Sequence, residues 1–208
     1  GYKILPFCTR CETALSSHEV AQGYKEITET SVYIKFKIIS KDSEYFGTNL
    51  LAWTTTPWTL PGNIALAVNE KIKYIEIEIG NEKYILAKDL VKVLGDEAKN
   101  AREVGVKELI GLEYQPLFDV PSLKSPKSYR VYPAKFVNTE EGTGIVHTAV
   151  MYGEDDYELG KTLGLPTHHT VNERGLFTEE VKMFAGQYVK DAEKGIIDYL
   201  KNKGLLLK

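Results

Sequence analysis

The stretch from Leu50 to Asn63, Leu-Leu-Ala-Trp-Thr-Thr-Thr-Pro-Trp-Thr-Leu-Pro-Gly-Asn, places the strongest constraint on how this chain can fold. It begins as a continuous apolar run, which is typical of a strand buried on both faces. It then passes into three consecutive threonines and breaks at Pro57, with Pro61 and Gly62 close behind. A buried strand that ends in a row of hydroxyl groups gathers short hydrogen-bond donors and acceptors at one point, where the mouth of a pocket can form.

Pro57 restricts the threonines that precede it, because the residue before a proline is held away from the helical region. We therefore expect Thr54, Thr55 and Thr56 to continue in an extended conformation, with Thr54 and Thr56 on one face and Thr55 on the other. Thr56 is a favourable N-cap and Pro57 a favourable first helical residue, so a short helical turn is predicted next. Its free N–H groups would favour an anion or an oxyanion. The alternative is purely structural, since threonine is common in strands.

A second group of polar residues lies on the predicted strand 145–149 and the predicted helix 154–163. His147 is on the strand, and the helix starts with Glu154, Asp155 and Asp156. Three acids exceed what capping requires, so one of them is a candidate ligand for a cation such as a substrate ammonium. The alternatives are favourable contact with the helix dipole, worth about 0.3–1 kcal/mol for each acid, and a histidine that is merely hydrogen-bonded in the core.

The rest of the pattern predicts an α+β domain with a mostly antiparallel, barrel-like sheet and a few peripheral helices. The other predicted strands are 30–39, 49–54, 65–68, 73–79, 83–87, 106–111 and 129–137. The other predicted helices are one capped by Asp89, with a continuation over 97–104, and one over 191–203. We predict a connecting segment over residues 1–28 and one domain over 29–208.

The composition limits the classes of function. With 208 residues, 43% of them hydrophobic, the chain can bury a sizeable core. Its net charge of −3 argues against a dedicated nucleic-acid-binding module, but not against contact with one end of a nucleic acid. No apolar run approaches the roughly 20 residues of a membrane span, and no signal peptide is visible, so a cytoplasmic location is expected. Both ends look like cuts in a longer protein.

Cys8 and Cys11 are the only two cysteines and form a single CxxC motif. A structural zinc site needs about four ligands, and the nearby His18 raises the number of candidates only to three. Two interpretations stay open. The pair is either two free thiols in a reducing compartment or a zinc half-site completed by residues outside this chain.

The sequence has no GxSxG elbow, no HExxH motif and no P-loop. If the domain hydrolyses a substrate, the groups that position the attacking water are therefore expected to be threonines, an asparagine and an acid. A covalent intermediate is not expected.

Two segments carry a resemblance to a known family. Residues 53–63 closely resemble the threonine-rich segment of the inserted editing domain (connective peptide 1) of isoleucyl-tRNA synthetases. Residues 142–149, followed by 153–157, resemble the second characteristic segment of that domain, and the resemblance extends over essentially the whole chain. Leucyl and valyl enzymes share the general layout. Residues 150–152, Val-Met-Tyr, replace the proline and Gly/His segment of many bacterial members, which indicates an archaeal or eukaryotic-like branch.

The resemblance implies post-transfer editing, in which water attacks the ester of valine wrongly attached to the isoleucine tRNA, with pre-transfer editing as an additional activity. An apolar pocket discriminates one methylene by only about 1–3 kcal/mol, and isoleucine against valine is the standard illustration of that limit. The resemblance assigns catalysis to Thr56, Asn63 and Asp156. It assigns substrate binding to Thr55, Trp58, Thr59, His147 and Asp156.

Each of these residues has an implied role. Asp156 would bind the α-ammonium, while Thr55, Thr56 and the backbone at Pro57 would hold the ester carbonyl and the terminal ribose. Thr56 and Asn63 would order the attacking water. The residues that would shape the side-chain pocket and set its size limit are Trp58, Thr59 and His147.

The resemblance also implies the partners and leaves two alternatives. The partners are the 3′ end of the isoleucine tRNA carrying valine and the rest of the synthetase, with the chain itself a monomer. No cofactor is needed for this chemistry, and zinc enters only with ligands from outside the chain. One alternative is a valyl-type site that edits threonyl-tRNA. The other is a module that binds the tRNA acceptor end without catalysis.

Overall fold

The computed structural model of the protein describes residues 4–23, 25, 29–95 and 99–208. Its strands are β1 (Phe7–Cys8), β2 (Thr13–Ala14), β3 (Val32–Lys37), β4 (Asn49–Thr54), β5 (Ala65–Val68), β6 (Tyr74–Ile79), β7 (Glu82–Ala87), β8 (Lys99–Val104), β9 (Arg130–Pro133) and β10 (Val146–Thr148). Its α-helices are α1 (Ser17–Gln22), α2 (Val106–Leu109), α3 (Glu154–Leu163) and α4 (Val189–Asn202). Three 3-10 helices join them, η1 (Pro57–Gly62), η2 (Lys88–Leu94) and η3 (Pro121–Leu123).

The strands described here form three sheets. The largest has the order β3-β4-β7-β6-β8, the second has the order β10-β5-β9, and β1 pairs with β2. Pairing is antiparallel except between β4 and β7 and between β5 and β9. Bridges from Tyr114 to Ile38 and from Glu113 to Arg130 connect the two larger sheets. The predicted α+β class is thus confirmed, but these sheets do not close into a barrel, and the barrel-like arrangement is not confirmed.

Strand β4 is buried on both faces, as its apolar run predicts. Leu50 and Ala52 point into the main hydrophobic core, whereas Leu51 packs into a second, smaller core with Ile75 and Leu86. The strand is therefore fixed from both sides up to its last residue, and the threonine run begins on a rigid support.

The strand pairing brings the two polar segments together. Strand β5 follows η1 and pairs antiparallel with β10, so that His147 lies opposite Leu66 and Thr148 opposite Ala65. Helix α4 packs against η1, with Ala192, Ile196 and Leu200 buried along one face. The threonine run and the His147 strand consequently share one rigid surface.

Several predicted elements are confirmed closely. Strands β4 and β5 and helix α3 have the predicted bounds. Gly164 ends α3 in the left-handed conformation, with φ 68° and ψ 41°, as expected of a glycine after the last turn. The hairpin of β6 and β7 turns at Gly80, which has a positive φ of 60°.

Other predictions are wrong, and each correction has a physical reason. The helix expected to continue over 97–104 is instead strand β8 over its described part, because this segment pairs with β6; residues 97 and 98 lie outside the described residues. The strand expected over 106–111 begins as the helix α2, because the backbone N–H of Ile110 donates to the Val106 carbonyl within the same turn and not to another strand. Asp89 caps nothing, since it lies inside η2, whose N-cap is Ala87.

Two further predictions concern the whole chain. The domain boundary predicted between residues 28 and 29 adjoins residues 26–28, which lie outside the described residues, so it stays a prediction. Among the residues that the structure describes, no helix is long and apolar enough to cross a membrane.

Candidate functional site

The threonine run lies where β4 ends and η1 begins. Thr54 is buried and Thr55 is exposed, so alternation places them on opposite faces as predicted. Thr54 Oγ1 accepts the backbone N–H of Thr56 at 3.1 Å and lies 3.1 Å from Thr56 Oγ1. The hydroxyl groups of Thr54 and Thr56 therefore act as a pair at the end of the strand.

The predicted capping role of Thr56 is wrong in one respect. Thr56 occupies the N-cap position and Pro57 the first helical position, but the Thr56 side chain makes no capping hydrogen bond. Its carbonyl instead accepts from the backbone N–H of Thr59 at 3.0 Å and from Thr59 Oγ1 at 2.8 Å. The reason is that Thr56 Oγ1 faces two neighbouring hydroxyl groups, Thr54 Oγ1 at 3.1 Å and Thr59 Oγ1 at 3.5 Å, and not the free N–H groups of the helix.

His147 joins the threonines to Asn63. Its Nε2 lies 2.8 Å from Thr59 Oγ1, and its Nδ1 lies 3.1 Å from Asn63 Nδ2. Only 9% of His147 is exposed. Burial lowers the pKa of His147 to about 4, because removal from water penalises the charged imidazolium. The ring is therefore neutral at physiological pH, with both nitrogens engaged inside the protein.

Asn63 is held more firmly than a residue that reaches into a pocket. Its Nδ2 also donates to the carbonyl of Ala65 at 3.0 Å, and its Oδ1 accepts from the Tyr114 hydroxyl at 2.8 Å. Asn63 is 4% exposed and Tyr114 is fully buried. The contacts place Asn63 behind His147, as support for the ring.

Asp156 is the one acid of the α3 start that turns inward. Glu154 and Asp155 are exposed, whereas Asp156 is half-buried and its Oδ1 accepts the backbone N–H of Ala149 at 3.2 Å. Burial raises the pKa of Asp156 to about 6, although the N–H of Ala149 lowers it, and the charge of Asp155 raises it further. The Thr148 hydroxyl lies beside this carboxylate without a hydrogen bond of normal geometry.

No cation faces the Asp156 carboxylate among the residues in the described ranges, since none of the ion pairs found there includes it. Gly153 permits its position, because a Cβ at residue 153 would lie 2.1 Å from Asp156 Oδ2. A buried carboxylate without a counter-charge is costly unless a partner binds. The arrangement therefore favours binding of a small cation at this point.

Two aromatic rings connect the threonine run to the α3 start. Trp58 in η1 meets Tyr152 edge to face, with ring centroids 5.2 Å apart. The Tyr152 hydroxyl accepts the backbone N–H of Thr170 at 2.9 Å and lies 2.7 Å from its Oγ1. This pair forms an apolar wall between the two polar segments.

The structure thus joins four of the predicted site residues, Thr56, Thr59, Asn63 and His147, in one hydrogen-bonded group. Asp156 is connected to that group through the backbone of residues 147–149 and not by a direct hydrogen bond. Thr55 stands apart on the exposed face. The roles assigned to these residues stay predictions.

Three residues of this region were not selected from the sequence. Thr54 was assigned no role in the site, although the sequence predicted that it shares a face with Thr56. Tyr114 reaches the site from a segment far from the threonine run along the chain. Tyr152 lies between His147 and Asp156, in the segment 150–152 that drew notice only as a departure from many bacterial family members.

The CxxC motif lies at the β1–β2 hairpin, away from this group. Cys8 is half-buried and Cys11 is exposed, and the backbone N–H groups of Cys11 and Arg10 lower the pKa of the Cys8 thiol. Nowhere in residues 4–23, 25, 29–95 and 99–208 do three or more side chains of His, Cys, Asp or Glu gather as a metal site. The zinc half-site completed from outside the chain stays a prediction.

A cavity of about 230 Å³ lies on the large sheet, away from the threonine run. It opens at the irregular pairing of β6 with β8. Its charged residues are Glu76, Glu78, Lys83 and Arg102. Glu76 is already paired with Arg102 at 3.1 Å and accepts the Thr48 hydroxyl at 3.0 Å, so the buried charge there is satisfied internally.

Comparison with known proteins adds to this geometry. No protein-family model matches the chain. Isoleucine–tRNA ligase of Clostridium acetobutylicum is 46% identical over 208 residues, which cover 100% of this chain and 20% of that protein. Isoleucine–tRNA ligase of Bacillus thuringiensis is 42% identical over 207 residues, which cover 99% of this chain and 20% of that protein. These relatives are bacterial, so they give no support to the expected archaeal or eukaryotic-like branch, which stays a prediction.

Solved structures share the fold. The structure of GlLeuRS-CP1 has a TM-score of 0.68 at 17% identity and covers 86% of this chain and 98% of its own. The editing domain of the P. knowlesi cytosolic leucyl-tRNA synthetase has a TM-score of 0.61 at 13% identity and covers 89% and 98%. The whole chain is therefore homologous to a segment that makes up about one fifth of the length of isoleucine–tRNA ligases. It has the fold of leucyl-tRNA synthetase editing domains.

Proposed function

We propose that this chain is an editing domain that hydrolyses the ester between valine and the isoleucine tRNA. Water attacks the ester carbonyl, the bond to the ribose oxygen breaks, and free valine and uncharged tRNA leave. Homology to isoleucine–tRNA ligases supports the isoleucine tRNA as the substrate. The fold shared with editing domains supports hydrolysis of an aminoacyl ester as the reaction. Pre-transfer editing of the activated amino acid is a secondary activity of the same proposed site.

The observation that carries the proposal is the half-buried Asp156 carboxylate, which forms no ion pair with any residue that the structure describes. An aminoacyl ester bears a free α-ammonium close to the carbonyl that is attacked. Binding of that ammonium to Asp156 would supply the missing charge, and it would hold the ester at a fixed distance from the threonine run. The exposed acids Glu154 and Asp155 lack the burial that makes such a pair strong.

The proposed side-chain pocket lies along His147, Thr59 and Trp58. His147 and Thr59 are fixed to each other at 2.8 Å, and the Trp58 ring is held by Tyr152. A rigid wall is what a size limit needs, since a wall that yields by one methylene would admit isoleucine. We therefore assign to this wall the exclusion of the correct amino acid.

The proposed attacking water lies near Thr56. Its hydroxyl is half-buried and is shared between Thr54 Oγ1 at 3.1 Å and Thr59 Oγ1 at 3.5 Å. A hydroxyl can rotate to donate or to accept, so it can order a water molecule or hold the ribose. Thr55, on the exposed face, is the proposed contact for the rest of the tRNA terminus.

The proposal includes partners and a place of action. The partners are the 3′ end of the isoleucine tRNA and the remaining four fifths of the synthetase, with the chain acting as a monomer in the cytoplasm. The chain spans about one fifth of the length of the relatives it matches. The ligase reaction for which those relatives are named is therefore assigned to the rest of the synthetase. Side chains, backbone and water supply every step of the proposed hydrolysis.

The test is hydrolysis of valyl-, isoleucyl- and threonyl-tRNA by the purified chain and by the full-length synthetase. We expect valine to be released and isoleucine to be retained. Preferred release of threonine would instead indicate a valyl-type site. Binding of tRNA without release of any amino acid, in the full-length enzyme, would reject catalysis in favour of a binding module.

A further inference from the structure

We infer that Tyr114 is a positioning residue, which acts through Asn63 to hold the His147 imidazole in one neutral tautomer with its proton on Nε2. The kinetic consequence of this inference rests on the proposed function. The tautomer itself is a property of the folded chain, so the two can be tested separately.

The orientation of the Asn63 amide follows from its contact with Ala65. Asn63 Nδ2 lies 3.0 Å from the Ala65 carbonyl oxygen, and a carbonyl oxygen only accepts hydrogen bonds. The NH₂ end of the amide must therefore face Ala65. The amide oxygen then faces Tyr114, whose hydroxyl donates to it at 2.8 Å.

The ring proton of His147 follows from the amide orientation. The second hydrogen of Asn63 Nδ2 points to His147 Nδ1, 3.1 Å away, so Nδ1 must accept. A neutral imidazole carries one proton, which is consequently on Nε2. Nε2 donates to Thr59 Oγ1 at 2.8 Å, and this is consistent because the Thr59 proton already goes to the Thr56 carbonyl.

Tyr114 raises the free energy of the flipped orientation of the Asn63 amide. If the Asn63 amide flipped, the Ala65 carbonyl would lose its donor and the Tyr114 hydroxyl would lose its acceptor. Both groups are buried, and a buried polar group without a partner is strongly unfavourable. With phenylalanine at residue 114, the flip would sacrifice only the Ala65 contact.

The Tyr114 ring is itself fixed by packing. Phe36 contacts it edge to face with ring centroids 5.2 Å apart, and Tyr129 does so at 6.2 Å. Tyr114 is 0% exposed, so its hydroxyl cannot turn to water. The core thereby determines the direction in which Asn63, and then His147, presents its hydrogen bonds.

The consequence concerns the chemistry that His147 can perform. With Nδ1 accepting from Asn63 and Nε2–H donating to Thr59, no ring lone pair is available to take a proton from water. His147 then acts as a fixed donor that orients the Thr59 hydroxyl, and Asn63 acts as its support and does not itself order the attacking water.

The test is the ¹⁵N spectrum of the histidine rings at pH 7 in the wild-type chain and in Tyr114→Phe. In the wild type we expect a protonated Nε2 and an unprotonated Nδ1 in His147. In Tyr114→Phe the flipped state should rise about five- to tenfold in population, from the loss of one hydrogen bond. The two nitrogen shifts of His147 should then move toward each other.

The matched control is Tyr84→Phe. Tyr84 is only 2% exposed and its hydroxyl also donates to a side-chain oxygen, that of Glu82 at 2.6 Å, but it lies in the second core and its hydrogen bond is partly open to solvent. We expect unchanged His147 shifts in this variant. Equal changes in Tyr84→Phe and Tyr114→Phe, unchanged shifts in Tyr114→Phe, or a protonated Nδ1 in the wild type would each overturn the inference.

If Tyr114→Phe does not fold, the wild-type chain still decides the question. The Tyr114 hydroxyl proton should exchange slowly with solvent and show a nuclear Overhauser contact to the Asn63 side-chain amide. The absence of this contact would refute the inference. On valyl-tRNA, Tyr114→Phe should lower kcat by the same fraction of molecules that the ¹⁵N shifts show to be flipped, with an unchanged KM. A wild-type enzyme that hydrolyses no ester would reject the proposed function while leaving the tautomer result intact.

Discussion

The Asp156 carboxylate accepts the backbone N–H of Ala149 at 3.2 Å, and this contact ties the first turn of α3 to the end of β10. The carboxylate is otherwise half-buried, and it faces no cation among the residues described. A partly buried carboxylate without a counter-charge lowers the free energy of unfolding, and that cost can be measured.

Replacing Asp156 with Asn should stabilise the protein and abolish editing. The amide keeps an oxygen for the Ala149 N–H but carries no charge. Because burial raises the Asp156 pKa to about 6, we expect the variant to gain about 2 kcal/mol in unfolding free energy at pH 7. Urea denaturation measures the gain, and deacylation of valyl-tRNA measures the loss. If the variant still hydrolyses valyl-tRNA at the wild-type rate, Asp156 does not bind the substrate ammonium.

The pH dependence of stability should show two opposing contributions. Asp156 has a folded pKa of about 6, above its unfolded value of 3.8, so its contribution decreases as the pH rises from about 4 to 6. His147 has a folded pKa of about 4, below its unfolded value of 6.5, so its contribution increases from about pH 4 to 6.5. Each is worth about 2–3 kcal/mol, and over pH 4–6 they largely cancel.

Single variants should separate these contributions. In Asp156→Asn the histidine contribution is no longer opposed by the aspartate, so between pH 4 and 6.5 the unfolding free energy should rise with pH more steeply than in the wild type. In His147→Gln the aspartate contribution is no longer opposed by the histidine, so between pH 4 and 6 the unfolding free energy should fall relative to the wild type. The measurement is urea denaturation at half-unit steps of pH, with the wild type as control. Parallel pH profiles for the wild type and both variants would show that neither group has the shifted pKa.

Much of the fold was predictable because local pattern and tertiary environment agree. The apolar run of β4 needs burial on both faces, and it is buried between two cores. Helix α3 has acids at its start and Gly164 at its end, so its bounds follow from the chemistry of its termini. In these elements the local conformational preference of the sequence agrees with the conformation found in the folded protein.

The wrong predictions occur where tertiary contacts outweigh weak local signals. The sequence of β8, Lys-Asn-Ala-Arg-Glu-Val, has little strand preference, and only its pairing with β6 makes it a strand. In the site, the threonines and Asp156 were recognisable by residue type. Tyr114 was not, because its role depends on an Asn63 contact across 51 positions of sequence.

Replacing His147 with Ala should relax the size limit of the pocket. The variant removes the ring that holds Thr59 at 2.8 Å, so the wall beside the amino-acid side chain gains space for one more methylene. We expect isoleucyl-tRNA to be hydrolysed in addition to valyl-tRNA, with the ratio of the two rates narrowing at least about tenfold, as one methylene is worth about 1–3 kcal/mol. Parallel assays with both substrates measure this ratio. Unchanged selectivity for valine would show that His147 does not set the limit.

Replacing Gly153 with Ala should disable the site without breaking the fold. Gly153 has φ −147° and ψ 148°, a conformation open to any residue, so the backbone tolerates alanine. The new Cβ would lie 2.1 Å from Asp156 Oδ2, and the carboxylate must rotate away from its place beside Ala149. We expect deacylation of valyl-tRNA to fall about tenfold or more, as for other misplaced binding groups.

The matched control for this variant is Gly23→Ala, because a Cβ at residue 23 would meet only the carbonyl oxygens of Glu19 and Val20 at an ordinary 3.6 Å. That variant should hydrolyse valyl-tRNA at the wild-type rate. Thermal unfolding of Gly153→Ala should stay close to that of the wild type, which would show that the lost activity comes from the displaced carboxylate. If Gly153→Ala retained full activity, the present position of Asp156 would not be required for hydrolysis.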